Sequence, residues 1–451
     1  METKNNSITE GPIGRQLLFF FFPILFGSFF QQLYNTADAM VVGRYVSKEA
    51  LAAVGGTTGT LINLFVGFFV GISSGFSVII SQRFGAQRDE EVSQCVHTAI
   101  TFSIITGLLL SVIGYILSPL ALSLMNVPED IFPLAKIYLQ IYFMGMTANL
   151  VYNMGAAILR AIGDSRRPLY FLIASTFTNI LLDILLVGIL KIGVAGAAIA
   201  TIVSQLVSAV LVIFVLLTTK TSYQLHILKL RIYIEPLKQM VYIGLAAGLQ
   251  SMMYTISNII IQAYVNALGT DTIAAWTVYG KIDTIFWMSI QAMGISTTTF
   301  VGQNFGAGKA DRVKKGIRWS LFISFVMTIS ISVLLFLFGS HIFSLFTKDQ
   351  EVIHQGNYIL HHIASLFVTY VFVEIYSGSL RSVGDCWIPM AITGIGVCML
   401  RILWLVIFFP THQSITTVIA SYPISWTTSS LFFIFYMHKF SGLQKWLKIN
   451  A

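Results

Sequence analysis

The sequence predicts an all-α integral membrane protein, with twelve transmembrane helices in two pseudo-symmetric six-helix lobes. Three observations predict it. Apolar runs of bilayer-crossing length fill almost the whole chain. Charge is scarce, and Lys and Arg concentrate in alternate loops. Two inner-loop motifs recur at one common shift.

The 451 residues are 56% hydrophobic and 10% charged, with a mean hydropathy of +0.79. Soluble chains carry roughly a quarter charged residues, so no soluble domain is expected. The polar stretch from Lys220 to Lys238 is only loop-sized. Met1 to Thr9 mixes acidic and basic residues and leads to no cleavage pattern, so the first apolar run is expected to stay in the membrane. Cys95, Cys386 and Cys398 have no paired spacing and suggest neither disulfide nor metal framework. The net charge of +8 follows membrane topology rather than a nucleic-acid surface.

Taking roughly 20 apolar residues per crossing, the spans fall near 15–42, 51–82, 93–118, 132–158, 168–190 and 193–219. The second set falls near 237–267, 272–302, 317–339, 355–379, 389–410 and 415–438. Pro23 in the first span and Pro423 in the last are the expected kink sites. Lys and Arg collect in one set of loops, from Arg83, Arg88, Arg160, Arg166 and Arg167 through Lys309, Arg312, Lys314 and Lys315 to Lys445 and Lys448. The opposite loops hold only Arg44, Lys48, Lys191 and Lys348, with Lys136 near a helix end. This bias predicts both termini in the cytoplasm, in a multi-pass protein of the cell (inner) membrane.

Gln82-Arg83-Phe84-Gly85-Ala86 recurs as Gln303-Asn304-Phe305-Gly306-Ala307. Leu159-Arg160-Ala161-Ile162-Gly163-Asp164 recurs as Leu380-Arg381-Ser382-Val383-Gly384-Asp385, again 221 positions on. Each half therefore holds six spans and crosses in the same sense, which relates the halves by an axis along the membrane normal. The expected division is 1–219 for the first lobe, 220–236 for a cytoplasmic linker and 237–451 for the second lobe. The paired Arg and Asp of the repeated inner loops read as turn-closing residues, with a gating role as the alternative.

Within these spans an ionisable side chain is costly, and so marks a site. The first span, with Pro23, ends on Tyr34-Asn35-Thr36-Ala37-Asp38. The fifth carries Asn179 and Asp183 at i and i+4, on one helix face. The sixth opens with small residues and adds Thr201. At 1.5 Å per residue, Asp38, Asp183 and Thr201 lie roughly 6, 10 and 12 Å below the outer ends of their spans, in one layer. Two carboxylates, an amide oxygen and a hydroxyl there form a hard oxygen site for Na⁺, or a pair that shares a proton. Tyr34 and Asn35 could complete it. The alternative is that Asn179 and Asp183 only hold helices together. At the repeat shift the second half has Ile259 or Ile260, Leu400 and Trp404 instead, which favours a site in the first half alone.

The second half has its own charges, Lys281, Asp283, Glu374 and Arg401. Lys281, Asp283 and Glu374 are auxiliary candidates that could line a cavity or pair with each other, and Arg401 is expected to snorkel. Gly71-Ile72-Ser73-Ser74-Gly75 fits a hydrolase nucleophile elbow by pattern only. No strand precedes it, and with Gly67 it reads as a small-residue packing stripe. No phosphate-binding loop, zinc helix motif or dinucleotide fingerprint occurs, so no enzyme and no cofactor is expected. Any active transport must then run on an ion gradient.

These residues together resemble the multidrug and toxic compound extrusion (MATE) family over essentially the whole chain. The resemblance rests on Pro23 with Asp38 and Gly43, the two duplicated motifs, Asn179 with Asp183, and Gly193 to Thr201. It implies a V-shaped pair of six-helix lobes that exports cationic or amphipathic drugs in exchange for H⁺ or Na⁺. It also implies a cation site at Asp38, Asn179, Asp183 and Thr201, and bending of the first helix at Pro23. Many members carry a glutamate in the seventh helix, where this chain reads Met252-Met253-Tyr254-Thr255. That absence places it nearer the DinF-like branch. The partners implied are drug-like organic cations and membrane lipid, with no nucleic acid, and the unit is expected to be a monomer. A lipid or lipid-linked oligosaccharide flippase shares the plan but predicts a basic cavity, for which only Lys281 and Arg401 offer themselves. A non-transporting receptor is the third reading, and the paired intramembrane carboxylates count against it.

Overall fold

The computed structural model describes residues 8–450, and Thr57 by its backbone only. The first seven residues of the Met1 to Thr9 extension lie outside the described residues. Helices α1 (Ile13–Tyr45), α2 (Lys48–Gly55), α3 (Thr57–Gly85), α4 (Asp89–Leu124), α5 (Phe132–Met144) and α6 (Met146–Ala161) open the chain. Next come α7 (Arg166–Asp183), which continues into a π-helical turn (Ile184–Ile189), and α8 (Val194–Thr218). The second half has α9 (Ile234–Asn266), α10 (Thr270–Gly306), α11 (Ala310–Ser344), α12 (Gln350–Ala364) and α13 (Val371–Arg381). It ends with α14 (Trp387–Thr393), a π-helical turn (Gly394–Met399), α15 (Leu400–Phe408), α16 (Ile415–Lys439) and α17 (Gly442–Asn450).

Every one of the twelve apolar runs is thus a helix or a helix pair, and the protein is an all-α membrane protein. Among the described residues nine helices are long and apolar enough to cross a bilayer, or ten if the pair Gln350–Ala364 and Phe367–Arg381, bent by 42°, counts as one. The two other runs have local reasons to differ. The run 132–158 breaks at Gly145, where a Cβ would stand 2.5 Å from Ile202. The run 272–302 lies in α10, whose polarity is raised by Lys281, Asp283 and several threonines.

The duplicated motifs are duplicated helix stops. Gly163 (φ 97°) and Gly384 (φ 91°) adopt the left-handed conformation that ends a helix. Gly163 N–H donates to the Arg160 carbonyl and Asp164 N–H to that of Leu159, both at 2.9 Å. Gly384 and Asp385 repeat this to Arg381 and Leu380 at 3.0 and 3.1 Å. Asp164 then accepts the Arg166 and Arg167 amides at 3.1 Å, opening α7. The other motif has the same geometry with one difference. The left-handed residue is Gly308 (φ 69°) in the second half but Gln87 (φ 58°) in the first. A side chain there costs roughly 1–2 kcal/mol, part of which glycine returns through the entropy of its unfolded chain. Gln87→Gly is expected to stabilise by about 0.5–1 kcal/mol, and Gly308→Gln to destabilise by a similar amount. Paired thermal melts in detergent check this; a lower Tm for Gln87→Gly would reject the backbone argument.

By its contacts the chain forms two compact units. One is Phe22–Gly248; the other joins the described residues up to Phe21 to those from Leu249 onward. Helices α1 and α9 are each divided between units, α1 beside Pro23. The first unit packs Ala53, Leu122, Ala135, Leu139, Phe143, Met146 and Leu150 into one core. In the other, the Phe286 and Phe367 rings stack at 4.0 Å. There Arg312 ties the segment before α1 to α11, donating to the carbonyls of Gly11 (2.8 Å) and Ile8 (3.1 Å) and to Gln16 Oε1 (2.9 Å).

Candidate ion site

Within the unit Phe22–Gly248, α1, α5, α7 and α8 bring a polar cluster together. Asp38 is 5% exposed, Asn179 and Asp183 fully buried, and Thr201 2% exposed. The Asp38 and Asp183 carboxylates face each other. Tyr34, one turn before Asp38 on the same face, lies beside Thr201 and Ser204. Tyr138 of α5 donates to Asp38 Oδ2 at 3.4 Å. Tyr138 also lies beside Thr201 and stacks on Tyr142 at 6.3 Å. Lower on the same helices, Ser175 Oγ donates to the Ser204 carbonyl (2.8 Å) and Thr176 Oγ1 to that of Phe30 (3.4 Å), which fixes α7 against α8 and α1.

Apart from Asp38 Oδ2, the polar atoms of this cluster are left without hydrogen-bond partners. Among the described residues Asp38 Oδ1, both Asp183 carboxylate oxygens, both polar atoms of the Asn179 amide, Thr201 Oγ1 and Tyr34 OH are buried without a hydrogen-bond partner. Orphaned buried polar atoms are costly, and one functional reason for keeping them is an ion that comes and goes. Nor is any group of three or more His, Cys, Asp or Glu among the described residues placed so that it could hold a metal ion. Two carboxylates with neutral oxygens suit a proton or a monovalent ion better than a divalent metal.

One turn beyond Asp38, Asp183 and Thr201 respectively, Val42, Val187 and Ala197 with Ala198 pack with Ala50, Val54 and Val194 into an apolar cluster. Every one of these residues is at most 6% exposed. The carboxylates are therefore closed at that end of the bundle. The π-helical turn begins at Ile184, next to Asp183, a widening often found at functional positions.

Asn35 is not part of this cluster. It is exposed, because the 100° step from Tyr34 turns it off the buried face. Tyr138 and Tyr142 were not picked out from the sequence, although hydroxyls at i and i+4 in the fourth run were the available signal.

The second-half charges lie in the other unit. Lys281 is exposed and does not pair with Asp283; two residues along a helix set them about 200° apart. Asp283 is buried and accepts Trp287 Nε1 at 2.7 Å. Arg401 does not snorkel. It is 3% exposed, its guanidinium 3.9 Å from the centre of the Tyr422 ring, and it donates to Ser425 at 3.2 Å. Facing aromatic rings and a serine supplied a buried cationic niche that a span-by-span hydropathy reading does not contain. Glu374 packs on Gly294, where a Cβ would stand 2.1 Å from its Oε1, and lies near Tyr370 and Arg381. Gly71 and Gly75 sit inside the continuous helix α3, so the nucleophile-elbow pattern is a packing feature.

A helical bundle that crosses the membrane many times and holds paired acids inside one unit defines a polytopic membrane transport protein. The MatE family model matches it twice, over residues 23–185 and again over 246–407, and the chain belongs to that family. It is 28% identical over 429 residues to the probable multidrug resistance protein YoeA of Bacillus subtilis, covering 93% of this chain and 92% of that one. It is 24% identical to the probable multidrug resistance protein NorM of Thermotoga maritima, with 86% and 84% covered. A solved outward-facing structure of a multidrug resistance MATE family transporter has the same fold, with a TM-score of 0.90 at 22% identity and coverage of 99% and 100%.

Proposed function

We propose that this protein is a cation-coupled multidrug efflux antiporter of the cell (inner) membrane, with both termini cytoplasmic. It exports amphipathic or cationic organic compounds by alternating access, in exchange for H⁺ or Na⁺. The observation that carries this reading is the buried pair Asp38 and Asp183, of which Asp38 Oδ1 and both Asp183 oxygens lack a hydrogen-bond donor from the protein, beside Asn179, Thr201 and Tyr34. An ion taken up there satisfies those atoms, and it drives exchange where a second conformation offers them less well. Antiport then requires only that the drug favour the opposite conformation. The apolar cluster beyond the acids blocks one approach, so the helices must part there, or the ion must come from the other side. Pro23, at the division of α1 between units, is the natural position for that helix to bend. The relatives' names support multidrug export.

A flippase for phosphate-bearing cargo is less well supported. Arg401 is enclosed by Tyr422, Trp426 and Ser425, which leaves Lys281 alone of the two as a headgroup anchor, short of a basic cavity.

The test is flux of a fluorescent organic cation in proteoliposomes, with a pH gradient or a Na⁺ gradient imposed separately. Accumulation driven by one gradient and collapsed by dissipating it is expected. Equal flux with and without both gradients would overturn the antiport reading.

A further inference from the structure

The segment between the halves is pinned to α4 through a histidine whose protonation state is set by its partners. His97 is 2% exposed. Its Nδ1 lies 2.7 Å from the Ser93 carbonyl, which can only accept, so Nδ1 carries the hydrogen. Its Nε2 accepts the backbone N–H of His226 at 3.0 Å, so Nε2 must hold a lone pair. The ring is therefore neutral, in one fixed tautomer. The next residue, Thr98, accepts the Tyr233 N–H through Oγ1 at 3.1 Å. Two adjacent side chains of α4 thus hold both ends of the stretch 226–233, whose middle is free: Leu228 is 101% exposed and Ile227 64%. Leu225, 3% exposed, seals the near end and donates to the Leu216 carbonyl of α8 at 2.8 Å.

We propose that His97 is a pH-sensitive latch, which holds the inter-half segment on α4 while neutral and releases its 226 end when protonated. The latch does not depend on which ion drives transport. A proton on Nε2 sets two donors head to head and removes the bond to His226, while the Thr98 anchor has nothing to titrate. The His226 ring lies parallel to His97 at 6.0 Å, so a charge on both rings adds repulsion. Among the described residues the charged groups of the packed elements are engaged elsewhere or exposed. Arg83 at the end of α3 is paired with Glu91 at 2.9 Å and bonded to Gln239, and Arg88 also meets Glu91. Arg160 of α6 sits beside Tyr152. In the segment itself Lys229 is exposed and Arg231 stacks on Tyr233 at 4.4 Å. With the orientation that the Lys and Arg bias predicts, this latch faces the cytoplasm, where a proton-importing exporter would deliver protons.

The test uses the full-length protein in zwitterionic nanodiscs, spin-labelled at Leu228→Cys and Glu90→Cys. Distance distributions are measured in steps from about pH 7.5 to about pH 5.5. Wild type is expected to be narrow at the higher pH and to broaden reversibly at the lower. His97→Gln supplies an acceptor oxygen near the Nε2 position and cannot titrate, so it should stay narrow at both. His226→Gln keeps the backbone donor and should keep the transition. An unchanged wild-type distribution, or broadening of His97→Gln equal to wild type, would overturn the latch.

Discussion

Asp38→Asn is expected to abolish gradient-driven export while leaving the protein at wild-type abundance in the membrane. The substitution is isosteric, and the Tyr138 hydroxyl that now donates to Oδ2 at 3.4 Å can donate to an amide oxygen equally well. What disappears is the charge facing Asp183. Coupling between two ligands is typically worth about 1–3 kcal/mol in binding free energy, and without it the gradient no longer drives export. Asp183→Asn should do the same, and the double variant should be no worse than either single one, because residues that act as one unit are not additive. Tyr138→Phe removes only the donor and should weaken export without abolishing it. The measurement is dye accumulation in proteoliposomes under an imposed gradient, normalised to reconstituted protein. Full driven export by Asp38→Asn would mean that the coupling site lies elsewhere. Loss of the protein itself would instead assign Asp38 to structure.

Most of this architecture could be read from the sequence because a bilayer leaves few choices. Runs of about 20 apolar residues must be helical there, and each expected run proved to be a helix or a pair of helices. The duplicated motifs were legible for a related reason, since a helix stop needs particular residues at particular steps, as at Gly163 and Gly384. Which face of a helix is buried was less legible. Tyr34 and Asn35 are neighbours in sequence, yet one is buried and the other exposed. Arg401 was misplaced because hydropathy prices a charge against lipid, whereas its surroundings are Tyr422, Trp426 and Ser425. The π-helical turn after Asp183 has no residue signature at all.

Gly75→Val should prevent the folded protein from accumulating. Helices α3 and α9 cross with their backbones in contact. A Cβ on Gly75 would lie 2.2 Å from the Gly244 amide nitrogen and 2.3 Å from the Met240 carbonyl oxygen. A Cβ on Gly71 would lie 2.5 Å from the Gly248 nitrogen, and one on Gly244 2.5 Å from the Ile72 carbonyl. Four glycines therefore interlock two membrane helices at close range, the use to which small residues are put where lipid offers no hydrophobic drive to association. Overpacking in an ordinary core costs about 1–3 kcal/mol because side chains can move aside. Here the obstacle is backbone on both sides, so the helices must separate, and the cost should exceed about 4 kcal/mol. Gly75→Ala makes the same clash with one carbon and should give protein of clearly lowered Tm. A far smaller penalty is expected for alanine at Gly280, where nothing lies within 4 Å of the new carbon. Fluorescence-detected gel filtration of heated, detergent-solubilised variants separates the three. If Gly75→Val elutes as a monodisperse peak with wild-type Tm, the close crossing of α3 and α9 is not what holds α9 in place.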